Sequence, residues 1–266
     1  MTQQQTDNIK LISDSLTKYG ITNPNLQAGI LATISKESNF IPQSENLNYS
    51  VANIKRVWSQ IPDATAQTLA NNPVALGNYQ YGNKGGNGAT DGYTYRGRGF
   101  NQITFKGTYQ KIGDTIGVDL VSNPDALNDP QVAADAAAAF FAGELKAGFG
   151  AGSFNKFGAT SPDTVNDTLT ATKIAVQINA GRGTNFNNPV VQEGFNKAKG
   201  VVDSLYDTIK SYTPNVVLAG AGEAEKGAKA TAEIVKKNPL TTILIVSGML
   251  LAFVVIIRTI KKNKTT

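Results

Sequence analysis

The sequence predicts a mainly α-helical domain followed by a single membrane-spanning helix, and three observations carry that prediction. Apolar residues recur at helical spacing through most of residues 1–213. Glycine and tyrosine concentrate in one stretch, residues 77–99, with eight glycines and four tyrosines in 23 positions. Leu240 to Ile257 is an uncharged run of 18 residues, long enough at about 1.5 Å per residue to cross the hydrocarbon core of a bilayer.

At the N-terminus, Ile9, Ile12, Leu16 and Tyr19 form the first helical stripe, and Gly20 stops it. Further helices are expected at about 24–38, 50–61, 130–147 and 162–179, with Asn23-Pro24, Ser50 and Asp129-Pro130 as starts. Ala133 to Ala142 reads as a closely packed helix. Val191, Phe195, Ala198, Val202, Leu205 and Ile209 read as one further long stripe. The glycine density of 77–99 excludes a regular helix there and points to loops with a small hairpin. Domain organisation follows: residues 1–213 a folded domain, 214–238 an Ala-, Gly-, Lys- and Glu-rich stalk, 239–258 the membrane helix and 259–266 a basic tail.

Of the 266 residues, none is cysteine or histidine. Disulfides, thiol nucleophiles, thiolate or imidazole metal sites and Ser-His-Asp triads are therefore excluded, and no metal or cofactor is expected. Chemistry must come from carboxylates, hydroxyls, lysine or amides. Residues 214–266 hold 8 Lys+Arg against 3 Asp+Glu, which accounts for the whole net charge of +5. The preceding domain is thus electrically neutral and lacks the cationic face of a nucleic-acid binder. Cations on both sides of the apolar run leave the positive-inside rule tied, and MTQQQTDNIK has neither the basic start nor the apolar core of a signal peptide. The chain reads as tail-anchored.

On a helical wheel of 24–38, Leu26, Ile30 and Ile34 define an apolar arc edged by Thr33, and Glu37 falls within it. A carboxylate aimed inward at a helix C-terminus suits a general acid, the alternative being a glutamate that ends the helix and reaches water. Glu45 follows in a polar segment, either as an ionised partner or as a solvated loop residue. The domain has only four glutamates, Glu37, Glu45, Glu144 and Glu193. Tyr93 to Thr104 mixes flat rings, guanidinium groups and an amide in a Gly-rich turn, as a sugar-binding cleft would, or as a structural loop with stacked tyrosines.

Taken together and in order, Ile34-Ser35-Lys36-Glu37-Ser38-Asn39-Phe40, Glu45 to Ser50, Tyr81 to Gly88, Asp91 to Thr104, Gly117 to Pro124 and Ile178-Asn179-Ala180-Gly181 resemble the family 19 glycoside hydrolases, specifically phage-type endolysins related to plant-type chitinases. The likeness covers about residues 25–185. It implies a lysozyme-like, two-lobed domain of mainly α (α+β) class that cleaves β-1,4 bonds between amino sugars with inversion. It further implies Glu37 as general acid, Glu45 as general base, Thr104 as the residue positioning the attacking water, and Tyr95, Arg98, Gln102 and Asn179 as substrate-binding or cleft-ordering residues. Lys36 stands where plant members often have histidine, and Asn101 where a bulky apolar residue is usual. The expected partners are peptidoglycan strands, a lipid bilayer through 239–258 and virion proteins, with no nucleic acid. The expected location is the internal membrane of a virus particle or the host inner membrane. A lytic transglycosylase using Glu37 alone and a non-catalytic wall-binding membrane protein are the competing readings.

Overall fold

The computed structural model describes residues 1–146, 159–181 and 186–211. The chain divides into two units, Met1–Tyr212 and Thr213–Thr266. The second unit, with the expected stalk, membrane helix and basic tail, lies outside the described residues. Among the described residues no helix is long and apolar enough to cross a membrane.

The first unit is helical. Its elements are α1 (Gln3–Lys18), α2 (Pro24–Ser38), α3 (Val51–Val57), α4 (Asp63–Leu69), α5 (Pro73–Tyr81), α6 (Lys106–Ile116), α7 (Pro130–Lys146), α8 (Thr168–Asn179) and α9 (Pro189–Ala198), with short 3₁₀ turns at Pro124–Asn128 and Pro162–Thr164. Residues 202–211 are also helical. The β content of the described residues is one antiparallel bridge, Arg98 to Ile103. The small hairpin therefore exists only as a pair of backbone bonds, 3.0 and 2.8 Å, at the far end of the Gly-rich stretch.

Local chemistry explains the boundaries. Asn23 caps α2 through its side chain, which accepts from the Asn25 and Leu26 amides, and Pro24 begins the helix where no amide hydrogen is needed. Asn39 ends it in the left-handed conformation, φ 51°. Asp129 accepts from the Gln131 and Val132 amides at the start of α7. Three expected helices differ from the structure. The helix expected over 50–61 stops at Val57, because Pro62 disfavours helical backbone at Ile61 and Lys55 Nζ turns back to the Ser59 and Ile61 carbonyls. The one expected over 162–179 is a 3₁₀ turn followed by α8, since the Asp167 side chain accepts from Thr170 N and restarts the helix there. The long stripe over 191–209 breaks in a turn around Gly200.

The Gly-rich stretch also holds a surprise, for α5 runs to Tyr81 and so occupies its first five residues. Gly77 is tolerated inside that helix because the backbone of Tyr93 packs on it; a Cβ there would lie 2.8 Å from Tyr93 Cα. Neither α4 nor α6 was expected from the sequence.

Buried apolar side chains form three clusters where two lobes are expected. The largest joins α1, α2, α7, α8, α9 and residues 202–211. A second gathers Tyr95, Ile103, Tyr109, Ile112, Leu120 and Leu127 against Ala136 and Ala139 of α7. The third, around Leu47, Ile54, Ile61 and Leu76, holds α3, α4 and α5 together. Within the first cluster α2 is the central helix, with every residue from Leu26 to Ile34 buried. The wheel arc understated this, because α2 is enclosed all round. Its closest neighbour is α8: a Cβ on Gly29 would lie 2.5 Å from the Ala171 carbonyl carbon and 2.6 Å from Thr172 N. Only glycine permits that backbone approach.

Candidate active site

Glu37 occupies the last turn of α2 and Asn179 the last residue of α8, so the close α2–α8 packing brings the two side chains together. Asn179 Nδ2 donates to Glu37 Oε1 at 3.0 Å. Lys36 Nζ forms an ion pair with the same oxygen. The Glu37 side chain is 22% exposed, neither sealed in the core nor extended into solvent. Asn179, expected to meet sugar, is thereby also the residue that orients Glu37.

Glu45 is held differently. Tyr81, at the end of α5, donates its hydroxyl to Glu45 Oε1 at 2.9 Å, and the Gly97 amide approaches Oε2 at 3.4 Å. Burial first, then the neighbouring Glu45 charge, push the Tyr81 hydroxyl well above its ordinary value, so it stays protonated and able to donate at neutral pH. The backbone around Glu45 is tied to the Gly-rich loop: Glu45 N donates to Gly97 O at 2.8 Å, and Gly99 N to Gln43 O at 3.1 Å. Arg96 Nε adds a bond to the Glu45 carbonyl at 3.1 Å while its guanidinium stacks 4.1 Å from the Tyr93 ring centre. Burial and the adjacent Arg98 lower the Arg96 pKa.

Thr104 and Gln102 close the loop. Thr104 Oγ1 donates to Gln102 O at 3.0 Å, which spends its hydrogen and leaves its lone pairs to accept. Gln102 and Phe105 both have positive φ, 55° and 77°, the kind of backbone strain that collects at functional loops. Gln102 Nε2 donates to Gln43 O at 3.0 Å and Gly99 O at 3.1 Å, so the amide clamps the Glu45 segment to the hairpin.

Two residues expected to bind substrate or order the cleft, Arg98 and Tyr95, are buried. Arg98 is 4% exposed, and its guanidinium donates to Asp125 at 2.8 Å, Thr94 O at 2.6 Å and the Tyr109 hydroxyl at 3.0 Å. Tyr95 is 5% exposed and its hydroxyl donates to Val121 O at 3.2 Å. Tyr95 is part of the second cluster, and Arg98 is bonded to its Tyr109. Asn101 is also buried, and its Oδ1 has no hydrogen-bond partner among the described residues. A cavity of about 470 Å³ between α6 and residues 117–122 contains none of Glu37, Glu45 or Thr104. Among the described residues no group of three or more acidic side chains could hold a metal.

Sequence reasoning passed over Tyr81, Arg96 and the Gly97 amide as partners of Glu45. Tyr81 was visible within the Tyr81–Gly88 motif, but only the fold turns it toward position 45.

Glu37 thus sits at a helix end beside an amide and an ammonium, and Glu45 on a loop buttressed by a tyrosine, the kind of unlike carboxylate pair that glycoside hydrolases use. Comparison with known proteins carries this further. Residues 66–181 match the family described as chitinase class I. A glycosyl hydrolase family 19 domain-containing protein of Haemophilus influenzae (strain ATCC 51907 / DSM 11121 / KW20 / Rd) is 38% identical over 115 residues, 41% of this chain and 58% of the relative. The chain thus spans little more than half of that relative. The family match contains Tyr95, Arg98, Gln102, Thr104 and Asn179, and begins after Glu37 and Glu45.

Proposed function

We propose that this protein hydrolyses β-1,4 glycosidic bonds in the amino-sugar strands of peptidoglycan by inverting acid/base catalysis. The single observation that carries the reading is the unlike holding of two carboxylates. Glu37 is oriented by Asn179 and partly shielded at a helix end, whereas Glu45 faces a phenol and an amide on the loop. Glu37 gives its proton to the glycosidic oxygen as the bond to the anomeric carbon breaks. Water adds to that carbon from the opposite face and passes its proton to Glu45, so charge and atoms balance over one turnover. Thr104 Oγ1, its own hydrogen committed to Gln102 O, accepts from that water and fixes its approach. The lack of cysteine and histidine supports the assignment, since other common ways of cutting a cell wall need them.

The C-terminal segment completes the proposal. Residues 239–258 anchor the enzyme in a bilayer, 214–238 form the stalk and 259–266 the basic tail at the headgroups. A glycan-cutting domain tethered in this way acts locally, which suits a phage-type enzyme carried in the membrane of a virus particle and used for wall penetration; lysis at the host inner membrane is the competing role. The test is mass spectrometry of products from purified sacculi and from chitin oligomers, using the full chain in detergent. Reducing ends from sacculi support hydrolysis. 1,6-Anhydro ends, lighter by one water, would replace it with a transglycosylase, and binding without released fragments would leave a wall-binding protein. Extraction by carbonate without detergent would overturn the anchor.

A further inference from the structure

Lys36 has no part in the proton transfers above, yet it is built into the site. It lies in the last turn of α2, where a cation complements the helix dipole. Its side chain is 24% exposed, although the residue as a whole is exposed. Its ammonium meets Glu37 on Oε1, the oxygen that also accepts from Asn179, so among the described residues both donors fall on one oxygen and Oε2 receives none. A glycine on the neighbouring helix makes room for it: a Cβ on Gly194 of α9 would lie 3.2 Å from Lys36 Nζ and 3.6 Å from its Cδ, with Val176 Cγ1 of α8 at 3.3 Å. Lys36 is therefore packed between α8 and α9 with its charge directed at one oxygen.

We propose that Lys36 is a positioning residue for Glu37, which together with Asn179 fixes Oε1 and turns Oε2 toward the scissile oxygen. The inference rests on the glycosidase reading. As the proton leaves Oε2, negative charge grows on the carboxylate, and an ammonium already seated at Oε1 stabilises that charge without rearrangement. Among the described residues, the other charged groups on the helices packed against Lys36 are Glu193, Lys197 and Lys173. Glu193 on α9 is held ionised mainly by Lys197, with Lys36 contributing less, and Lys173 of α8 lies 5.9 Å from the Phe195 ring centre. Glu193 is thus occupied by Lys197, at 2.6 Å, which leaves the Lys36 charge to Glu37.

The test is steady-state hydrolysis of sacculi and soluble glycan fragments by the full chain, comparing wild type with Lys36→Met, Lys36→Arg and Gly194→Ala. Lys36→Met is expected to lower kcat about a hundredfold with little change in KM, the low end of what one preorganised donor supplies. Added ethylammonium should restore part of the lost kcat. Lys36→Arg should keep most of it, and Gly194→Ala, which displaces the amine without removing it, should give a smaller loss of the same kind. Melting temperatures identify any variant that fails to fold, and if Lys36→Met is one, Lys36→Arg and Gly194→Ala carry the test. Wild-type kcat in a folded Lys36→Met variant, or a change confined to KM, would overturn the positioning role while leaving the glycosidase intact. An inactive wild type would instead remove the glycosidase reading itself.

Discussion

Replacing Gly29 by alanine tests the packing that brings the two ends of the Glu37–Asn179 pair together. The new methyl carbon would sit 2.5 Å from the Ala171 carbonyl carbon, and ordinary contact begins at 3.4 Å, so α2 and α8 must separate by about 0.9 Å. No side chain can rotate away, because all three nearest atoms are backbone. Overpacking of this kind costs about 1–3 kcal/mol, which at about 2–4 °C per kcal/mol for a domain of this size lowers Tm by about 2–12 °C. The same separation acts on Asn179, whose 3.0 Å bond to Glu37 has little slack. A misplacement near 1 Å is worth up to about a hundredfold in rate, so kcat should fall about ten- to a hundredfold. Gly200→Ala is the control, for its Cβ would meet only the Lys197 carbonyl at 3.6 Å, and it should be neutral or mildly stabilising. Thermal melting and glycan release measured on both variants decide the matter. A Gly29→Ala protein with unchanged Tm and rate would refute the claim that this contact sets the acid's position.

Glu37→Gln keeps an oxygen for Asn179 to donate to and should leave Tm within a degree or so, while turbidity clearing of cell walls drops by about 10²–10⁴. Tyr81→Phe removes a charge-assisted bond worth about 1.5–3 kcal/mol; it should reduce hydrolysis tenfold or more, and a product assay would also show whether the released ends change. Tyr109 makes stability pH-dependent on the alkaline side. Burial raises its hydroxyl from 10.0 to about 12 in the fold against the opposing pull of Arg98, so its contribution is complete below pH 10 and is lost as pH rises through 12. That rise amounts to about 3 kcal/mol. Denaturant melts of the wild type between pH 9 and 12 should show the decline, and Tyr109→Phe should flatten it.

How much of this could be read beforehand depends on the range of the interactions. The limits of α2 were legible because Asn23, Pro24 and Asn39 act within a few residues of themselves, and Glu37 at its end was legible for the same reason. Its enclosure on all sides was not, since that depends on Gly29 meeting Ala171, 142 positions away in the chain. Arg98 and Tyr95 looked like cleft residues because guanidinium and phenol groups bind sugars well. The same groups bind buried carbonyls equally well, and nothing in the local pattern said that Val121, Asp125 and Tyr109 would claim them. Short helices such as α4 and α6 escaped notice because seven to eleven residues give a weak periodic signal and tertiary contacts decide their formation.

Glu37 and Glu45, the proposed acid and base, are mounted on different foundations. Glu37 rides on the large helical cluster, while Glu45 lies beside Leu47 and Tyr81 of the α3–α5 cluster, and only residues 39–44 join them along the chain. That span opens with two left-handed residues, Asn39 and Phe40, the latter plugged into the large cluster. The span is tied at both ends: Asn8 Nδ2 donates to Phe40 O at 2.7 Å and Gln102 Nε2 to Gln43 O at 3.0 Å. Editing those six residues would therefore act on both mountings at once, through Phe40 on one side and Gln43 on the other.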